Sequence, residues 1–274
     1  MERKTSPRGA PGRRQGRPER SAPPVDAPES LWISGRRPVL EALRAGLPAR
    51  RLLLRAPVTG GMLGELRQAA RARACPVVEC DNAALDRAMR HTEHRGVALE
   101  LEPLPERPLQ SSLPALEVEG RRPVLLVLDG LQDPQNLGAV ARGAEAAGVL
   151  ALVAGRWAQA PLSDAAFRAS AGALAWLPLL LVEDLCEALD WLGRRGYRRV
   201  GLTERAERDV FSAQVPGPLA LVLGGEGRGI SQRVREHLDL ELRIPMQGHV
   251  GSLNASVAAA VVLFQLTAER PGHE

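Results

Sequence analysis

Three stretches in the back half of the chain run apolar without alternation: Val124-Leu-Leu-Val-Leu128, Leu150-Ala-Leu-Val153 and Leu219-Ala-Leu-Val-Leu223. A strand with one wet face alternates apolar and polar side chains, whereas a strand covered on both faces reads as an unbroken apolar run. With 177–182, 199–202 and 242–244 these make six predicted strands. Residues 137–147, 163–173, 183–195 and 231–237 read as the intervening helices, and a last helix spans 253–268. That order predicts a parallel α/β sheet with helices on both faces. Sheets of this kind bind small ligands in the loops beyond the C-terminal ends of their strands.

The front of the chain is different. Residues 1–30 hold six prolines, many arginines and almost no large apolar side chain, so they cannot offset the entropy of ordering and are expected to form a disordered basic tail. Residues 31–101 predict a small α/β domain, with strands at 51–55, 76–79 and 97–101 and helices opening at Gly35 and covering 62–74 and 83–89. Pro103, Pro105, Pro108 and Pro114 then predict a linker over 102–120 without regular structure, and the sheet domain occupies 121–270. The charge divides with these segments: 1–30 is net +3, 31–101 net +5, 102–120 net −3 and 121–274 net −1. A positive module ahead of a near-neutral one suits a front half that grips a polyanion. An arginine-rich solvated surface is the alternative that charge alone leaves open.

Several classes are excluded or disfavoured. The longest apolar run, 257–264, is too short to span a bilayer, and the N-terminus lacks a secretory h-region, which predicts a cytoplasmic protein without a membrane partner. Cys75, Cys80 and Cys186 form no CxxC pair and suit free thiols in apolar space. His91 and His94 fall close together, as on one helix, but the neighbourhood offers no further ligands, so no metal site is expected. Gly224-Gly-Glu-Gly-Arg-Gly229 misses the dinucleotide-binding glycine spacing, and a P-loop is impossible where Lys4 is the only lysine.

Three strand ends carry the chemistry. After 124–128 come Asn136, Gly138 and Arg142; after 219–223 come Gly224, Glu226 and Gly229; after 242–244 come Pro245, Met246 and Ser252-Leu-Asn-Ala-Ser256. Taken singly, Asn136 reads equally as a helix cap or as a ligand contact, and the glycine loop reads as a turn that admits a close ligand beside one carboxylate. Their coincidence in this order is the stronger signal.

As a set, N-x-G-x-x-x-R at Asn136–Arg142, G-x-E-x-x-G at Gly224–Gly229 and I-P-M…S-L-N-x-S from Ile244 to Ser256 resemble the signature of the SpoU/TrmH class of RNA ribose 2′-O-methyltransferases. The front domain is similar to the ribosomal-protein-like RNA-binding domain of the large-subunit rRNA members, through Gly35-Arg-Arg-Pro-Val-Leu-Glu-Ala-Leu43 and His94-Arg-Gly-Val-Ala-Leu99. The resemblance covers about 31–268. Gly143, Gly251 and Ala255 depart from common filler residues and bear on target choice more than on activity. The implied fold is a SPOUT-type parallel sheet with a trefoil knot, which periodicity could not have indicated because knots break the usual topological rule.

The resemblance implies S-adenosylmethionine as cofactor, held around Thr203, Gly224, Ile244, Met246, Ser252 and Leu253. It implies Asn136, Arg142, Glu226, Ser252 and Asn254 as catalytic residues, and a guanosine of 23S rRNA as target. A 2′-OH is a poor nucleophile, so alignment and charge stabilisation must be supplied. A guanidinium holds its proton too firmly to act as a base near neutrality, which assigns Arg142 to phosphate fixation and oxyanion stabilisation. Asn136, Ser252 and Asn254 are expected to position the ribose and order the loops, and Glu226 to hold those loops and Asn136 in place. With only eight aromatic residues in the chain, a base-stacking platform is disfavoured. Arg36 and Arg37 are the RNA-binding candidates beside the first helix, and the apolar helix 253–268 is the expected homodimer interface. The competing readings are the same chemistry on tRNA or on an rRNA adenosine, and a non-catalytic rRNA-binding assembly protein.

Overall fold

The computed structural model describes residues 30–56, 61–156 and 160–268. The expected basic tail, apart from residue 30, lies outside the described residues.

The front domain runs β1 (Leu31–Ser34), α1 (Arg36–Ala45), β2 (Ala49–Arg55), α2 (Gly61–Ala72), β3 (Val77–Cys80), α3 (Asn82–Met89) and β4 (Val97–Leu101). Its sheet has the order β1-β4-β2-β3, with β2 and β3 parallel and the pairs with β4 antiparallel. Val39, Leu40, Leu43, Leu63 and Leu66 from α1 and α2 bury one face. Leu85 and Met89 of α3 cover Leu53 and Ala98 on the other. Strand β1 was not among the strands read from the sequence; its place is fixed by antiparallel pairing with β4. His91 and His94 sit in the loop before β4 rather than on a helix. There the His94 ring faces Asp86 through Nε2 at 2.9 Å and accepts the Gly96 N–H at Nδ1 at 3.0 Å.

The segment expected to be irregular contains a helix, α4 (Leu109–Leu116), with Pro114 inside it. The proline forfeits one backbone bond. Leu109 and Leu113, one turn apart and 1% and 0% exposed, seat this helix on the second domain's core, and that burial outweighs the lost bond. Proline punctuation misled the reading because it is a local signal and the burial is not.

The second domain continues β5 (Val124–Asp129), α5 (Pro134–Ala146), β6 (Ala151–Gly155), α6 (Asp164–Ala169), a 3₁₀ turn (Ala173–Ala175), β7 (Leu179–Val182), α7 (Leu185–Arg194), β8 (Arg198–Leu202), β9 (Arg208–Asp209), β10 (Leu219–Gly224), α8 (Gln232–Arg235), β11 (Leu240–Arg243) and α9 (Ala255–Ala268). The seven strands pair in parallel in the order β7-β6-β5-β10-β8-β11-β9. Five are expected runs with shifted ends; β7 starts at Leu179, two residues later than expected because the 3₁₀ turn intervenes, and the two-residue β9 had no pattern to read. Strands β5 and β10 are fully apolar and buried up to Leu128 and Leu223, as strands covered on both faces must be. The chain lays β6 and β7 on one side of β5 and the later strands on the other, so the order reverses at the β5–β10 pair.

Helix α9 packs on α5, where a Cβ at Gly143 would lie 3.3 Å from the Ala260 Cβ. It buries Ala259, Val262, Leu263 and Leu266 while Val257 and Phe264 stay about half exposed. No described helix is long and apolar enough to cross a membrane. The three cysteines are free thiols, and burial pushes each of them up from its ordinary pKa.

Candidate functional site

The register of the sheet brings two of the motifs side by side. Gly224 pairs with Asp129, so β10 and β5 end together, and Gly225 N–H then donates to the Asp129 carbonyl at 2.9 Å. Here glycine is compulsory. A Cβ on Gly225 would lie 2.4 Å from the Gly130 oxygen, and one on Gly224 would lie 2.0 Å from the Gly229 carbonyl carbon. Asp129 secures the far end of the loop by accepting the Ser231 N–H at 2.7 Å.

From this loop Glu226 reaches the start of α5. Asp133 caps that helix by accepting the Gln135 N–H at 3.0 Å, and Pro134 fills the first helical position, where no backbone donor is missed. One turn in, the Asn136 amide nitrogen donates to Glu226 Oε1 at 2.7 Å and to Asp133 Oδ2 at 3.1 Å. Asn254, just ahead of α9, donates to Asn136 Oδ1 at 3.2 Å and to Glu226 Oε1 at 3.3 Å, while its own Oδ1 accepts the Ser256 hydroxyl at 2.6 Å and the Ser256 N–H at 2.9 Å. One residue from each motif thus meets in a single network.

Beside the network lies a cleft of about 800 Å³. Thr203, Gly224, Ile244, Met246, Ser252 and Leu253 all line it, with Glu226 and Asn254 at the same wall. Met246 and Leu253 are 37% and 38% exposed there. The walls combine apolar side chains with glycine backbone held open to approach, and this suits a flat heteroaromatic ring with a polar tail.

Arg142 stands apart. It sits further along α5, exposed, and it has no hydrogen-bond or ion-pair partner among the described residues. Most of the other named groups are committed to neighbours, so this free cation is available to an anion. Arg36 is likewise exposed and unpaired on α1, while Arg37 is tied to Glu41 at 2.9 Å. Among the described residues no group of three His, Cys, Asp or Glu stands close enough to hold a metal.

Asp133, Asp129 and the Gly130–Gly225 contact belong to the site's frame, and the sequence reading did not single them out for it. Asp133-Pro134 was legible as a helix start and could have exposed Asp133. The contact between Gly130 and Gly225 had no sequence signal.

A family model described as the SpoU rRNA methylase family matches residues 123–264. The chain belongs to that family. A second model, described as RNA 2′-O ribose methyltransferase substrate binding, matches residues 32–107. The chain is 35% identical over 248 residues to the 23S rRNA (guanosine-2′-O-)-methyltransferase RlmB of Xanthomonas campestris pv. campestris, covering 89% of this chain and 98% of that protein. It is 31% identical over 242 residues to a putative TrmH family tRNA/rRNA methyltransferase of Staphylococcus saprophyticus, covering 88% and 97%. In structure it is similar to the SpoU methyltransferase AviRb of Streptomyces viridochromogenes, with a TM-score of 0.74, 26% identity and coverage of 88% and 90%. The same enzyme in complex with AdoMet (S-adenosylmethionine) gives a TM-score of 0.73.

Proposed function

We propose that this protein transfers a methyl group from S-adenosylmethionine to the ribose 2′-OH of a guanosine in 23S rRNA. The observation that carries the reading is the network in which Asn136 at the start of α5, Glu226 and Asn254 join three segments distant in sequence beside the cleft. The likeness to RlmB supports the choice of target.

The cofactor's fit rests on the cleft itself: apolar side chains from Ile244, Met246 and Leu253, a glycine turn at Gly224 with no room for a Cβ, and hydroxyls from Thr203 and Ser252. S-adenosylmethionine supplies an electrophilic methyl carbon when bound. The protein's part is alignment and electrostatics. Glu226 fixes Asn136 and Asn254 so that their amides keep one orientation, and Ser252 beside them can hold the ribose. Arg142, with no internal partner, is free to take a phosphate of the target nucleotide and to stabilise charge on the 2′-oxygen as it develops.

Three further parts of this reading concern the whole molecule. The front domain acts as a ribosomal-protein-like RNA grip, with Arg36 and Arg37 contributing phosphate contacts. The methyltransferase domain is a SPOUT-type trefoil knot, a reading supported by the way Ile244, Met246 and residues 251–254 line the same cleft as the loop 224–230. The protein works as a homodimer through helix 253–268, supported by the half-exposed Val257 and Phe264, and it acts in the cytoplasm, where rRNA is its substrate.

The test is transfer of labelled methyl groups to purified 23S rRNA, tRNA and ribosomal precursor particles, followed by digestion to nucleosides. 2′-O-methylguanosine from 23S rRNA is expected. Label in tRNA or in adenosine would redirect the substrate assignment, and absence of both label and cofactor binding would favour a non-catalytic assembly protein.

A further inference from the structure

The front domain and the methyltransferase domain share buried apolar core, and polar contacts between them converge on one carboxylate. Asp164, the first residue of α6, has its side chain 15% exposed. Its Oδ1 accepts the Ser34 N–H at 2.5 Å. Its Oδ2 lies 2.9 Å from His91 Nε2. Because His91 Nδ1 accepts the Glu93 N–H at 3.1 Å, the neutral ring carries its proton on Nε2 and presents it to Asp164. Arg168, one turn along α6, stands with Nε 2.9 Å from the same Oδ2 and bonds Glu93 of the front domain through its other end. Ser34 is fully buried at this junction.

The far side of α6 is pressed against the helix that carries the first motif. A Cβ at Gly138 would lie 2.3 Å from the Ala166 carbonyl oxygen and 2.6 Å from the Ala169 Cβ. Gly138 is two residues from Asn136 and one turn from Arg142. A short rigid element therefore touches the front domain on one side and the catalytic helix, at van der Waals contact, on the other. A second contact reinforces it, where Trp176 Nε1 donates to Glu41 of α1 at 3.1 Å. Domains in one chain move relative to each other by default unless such contacts hold them.

We propose that Asp164 is a positioning residue for methyl transfer: it locks the front domain onto α6, so that a ribose carried in by RNA on that domain arrives at Asn136 and Arg142. The inference rests on the RNA methylation proposed above. Asp164 does not touch substrate; it sets where the substrate's holder sits.

The experiment compares the wild type with Asp164→Asn and with Glu93→Gln, which loosens the same junction from an exposed loop. Five quantities are read: S-adenosylmethionine affinity by calorimetry, rRNA affinity by filter binding, single-turnover rate at saturating rRNA, radius of gyration by small-angle scattering, and melting temperature. Affinity for cofactor and RNA should stay within about threefold, while the saturating rate of Asp164→Asn falls at least ~10-fold, since small misplacements of reacting groups carry penalties of this order. Glu93→Gln should fall in the same direction by less, and the radius of gyration should rise in both. An unchanged saturating rate in both variants would overturn the proposal. So would a loss that lies wholly in RNA affinity, which makes the junction part of the grip, or one that tracks cofactor affinity and melting temperature, which makes it merely structural. If Asp164→Asn does not fold, Glu93→Gln decides by the same criteria. The wild type separates this proposal from the functional reading: no methylation of any RNA by the wild type sinks the function, whereas an active wild type with equally active variants sinks only the positioning role.

Discussion

Asn136 and Glu226, 90 residues apart in the chain, meet with the amide nitrogen 2.7 Å from Oε1. The same Oε1 also accepts from Asn254 at 3.3 Å. One carboxylate oxygen therefore favours one orientation of two amides, since rotating either would break its bond to Glu226.

Glu226→Gln tests this directly. The variant keeps its shape but replaces a double acceptor by a group whose nitrogen competes with both amides. Turnover should fall by about 10- to 100-fold, the scale of losing one preorganising contact. Affinity for S-adenosylmethionine should change only a few-fold. Single-turnover kinetics with parallel calorimetry would check it, and a fall confined to cofactor affinity would count against the role.

Arg142→Ala should leave folding and cofactor binding within a few-fold of the wild type while lowering turnover by at least ~100-fold. Arg142→Lys keeps the charge but loses the planar fork, so it should restore only part of the rate if phosphate is held bidentately. Near-normal turnover in Arg142→Ala would remove this residue from the mechanism.

At Gly138 the question is packing. A methyl group there would sit 2.3 Å from a backbone oxygen of α6, which cannot move without displacing Asp164 and Arg168. Gly138→Ala should destabilise the fold by about 1–3 kcal/mol, the usual cost of overpacking. Urea unfolding would measure it, and a variant as stable as the wild type would mean that α5 and α6 are further apart than described.

The pH dependence of stability has one clear contributor. Arg199 Nη2 donates to Asp239 Oδ1 at 2.6 Å, and its Nε and backbone N–H reach Oδ2. Chiefly that guanidinium contact holds the Asp239 carboxyl below its ordinary pKa of 3.8. With the folded value lower than the unfolded one, the pair's stabilisation is complete above the ordinary aspartate range and is lost as pH falls through the folded value. The stability gap between the wild type and Asp239→Asn should thus be widest near neutrality and close in acid. A gap that stays constant down to pH 2 would exclude this linkage.

For RNA affinity, salt is the probe. Each phosphate contact released by substitution flattens the dependence of log affinity on log salt by about one contact's worth. Arg36→Ala should flatten it more than Arg37→Ala, because Arg37 is already engaged by Glu41, and neither should alter cofactor affinity. Equal, unchanged slopes in filter-binding titrations would return both arginines to the solvated surface.

Much of the catalytic domain was legible because its signals are local. Unbroken apolar runs such as 124–128 and 219–223 became the central buried strands, and one residue from each of the three motifs meets in a network beside a single cleft. What could not be read depends on distant partners. Helix α4 forms despite Pro114 because Leu109 and Leu113 find an apolar bed elsewhere in the chain. His91 was expected on a solvated face, yet its ring meets Asp164, 73 residues away. The two-residue β9 exists only because β11 offers it an edge.

The Gly225 N–H on the Asp129 carbonyl and the Ser231 N–H on its carboxylate tie the binding loop to the innermost pair of strands. The two ends of the loop are thereby anchored where β5 and β10 stop together. The Gly225 and Ser231 amide hydrogens should therefore exchange more slowly than those of the exposed Glu226, Gly227 and Arg228 between them, which places the loop's stiffness at its two ends.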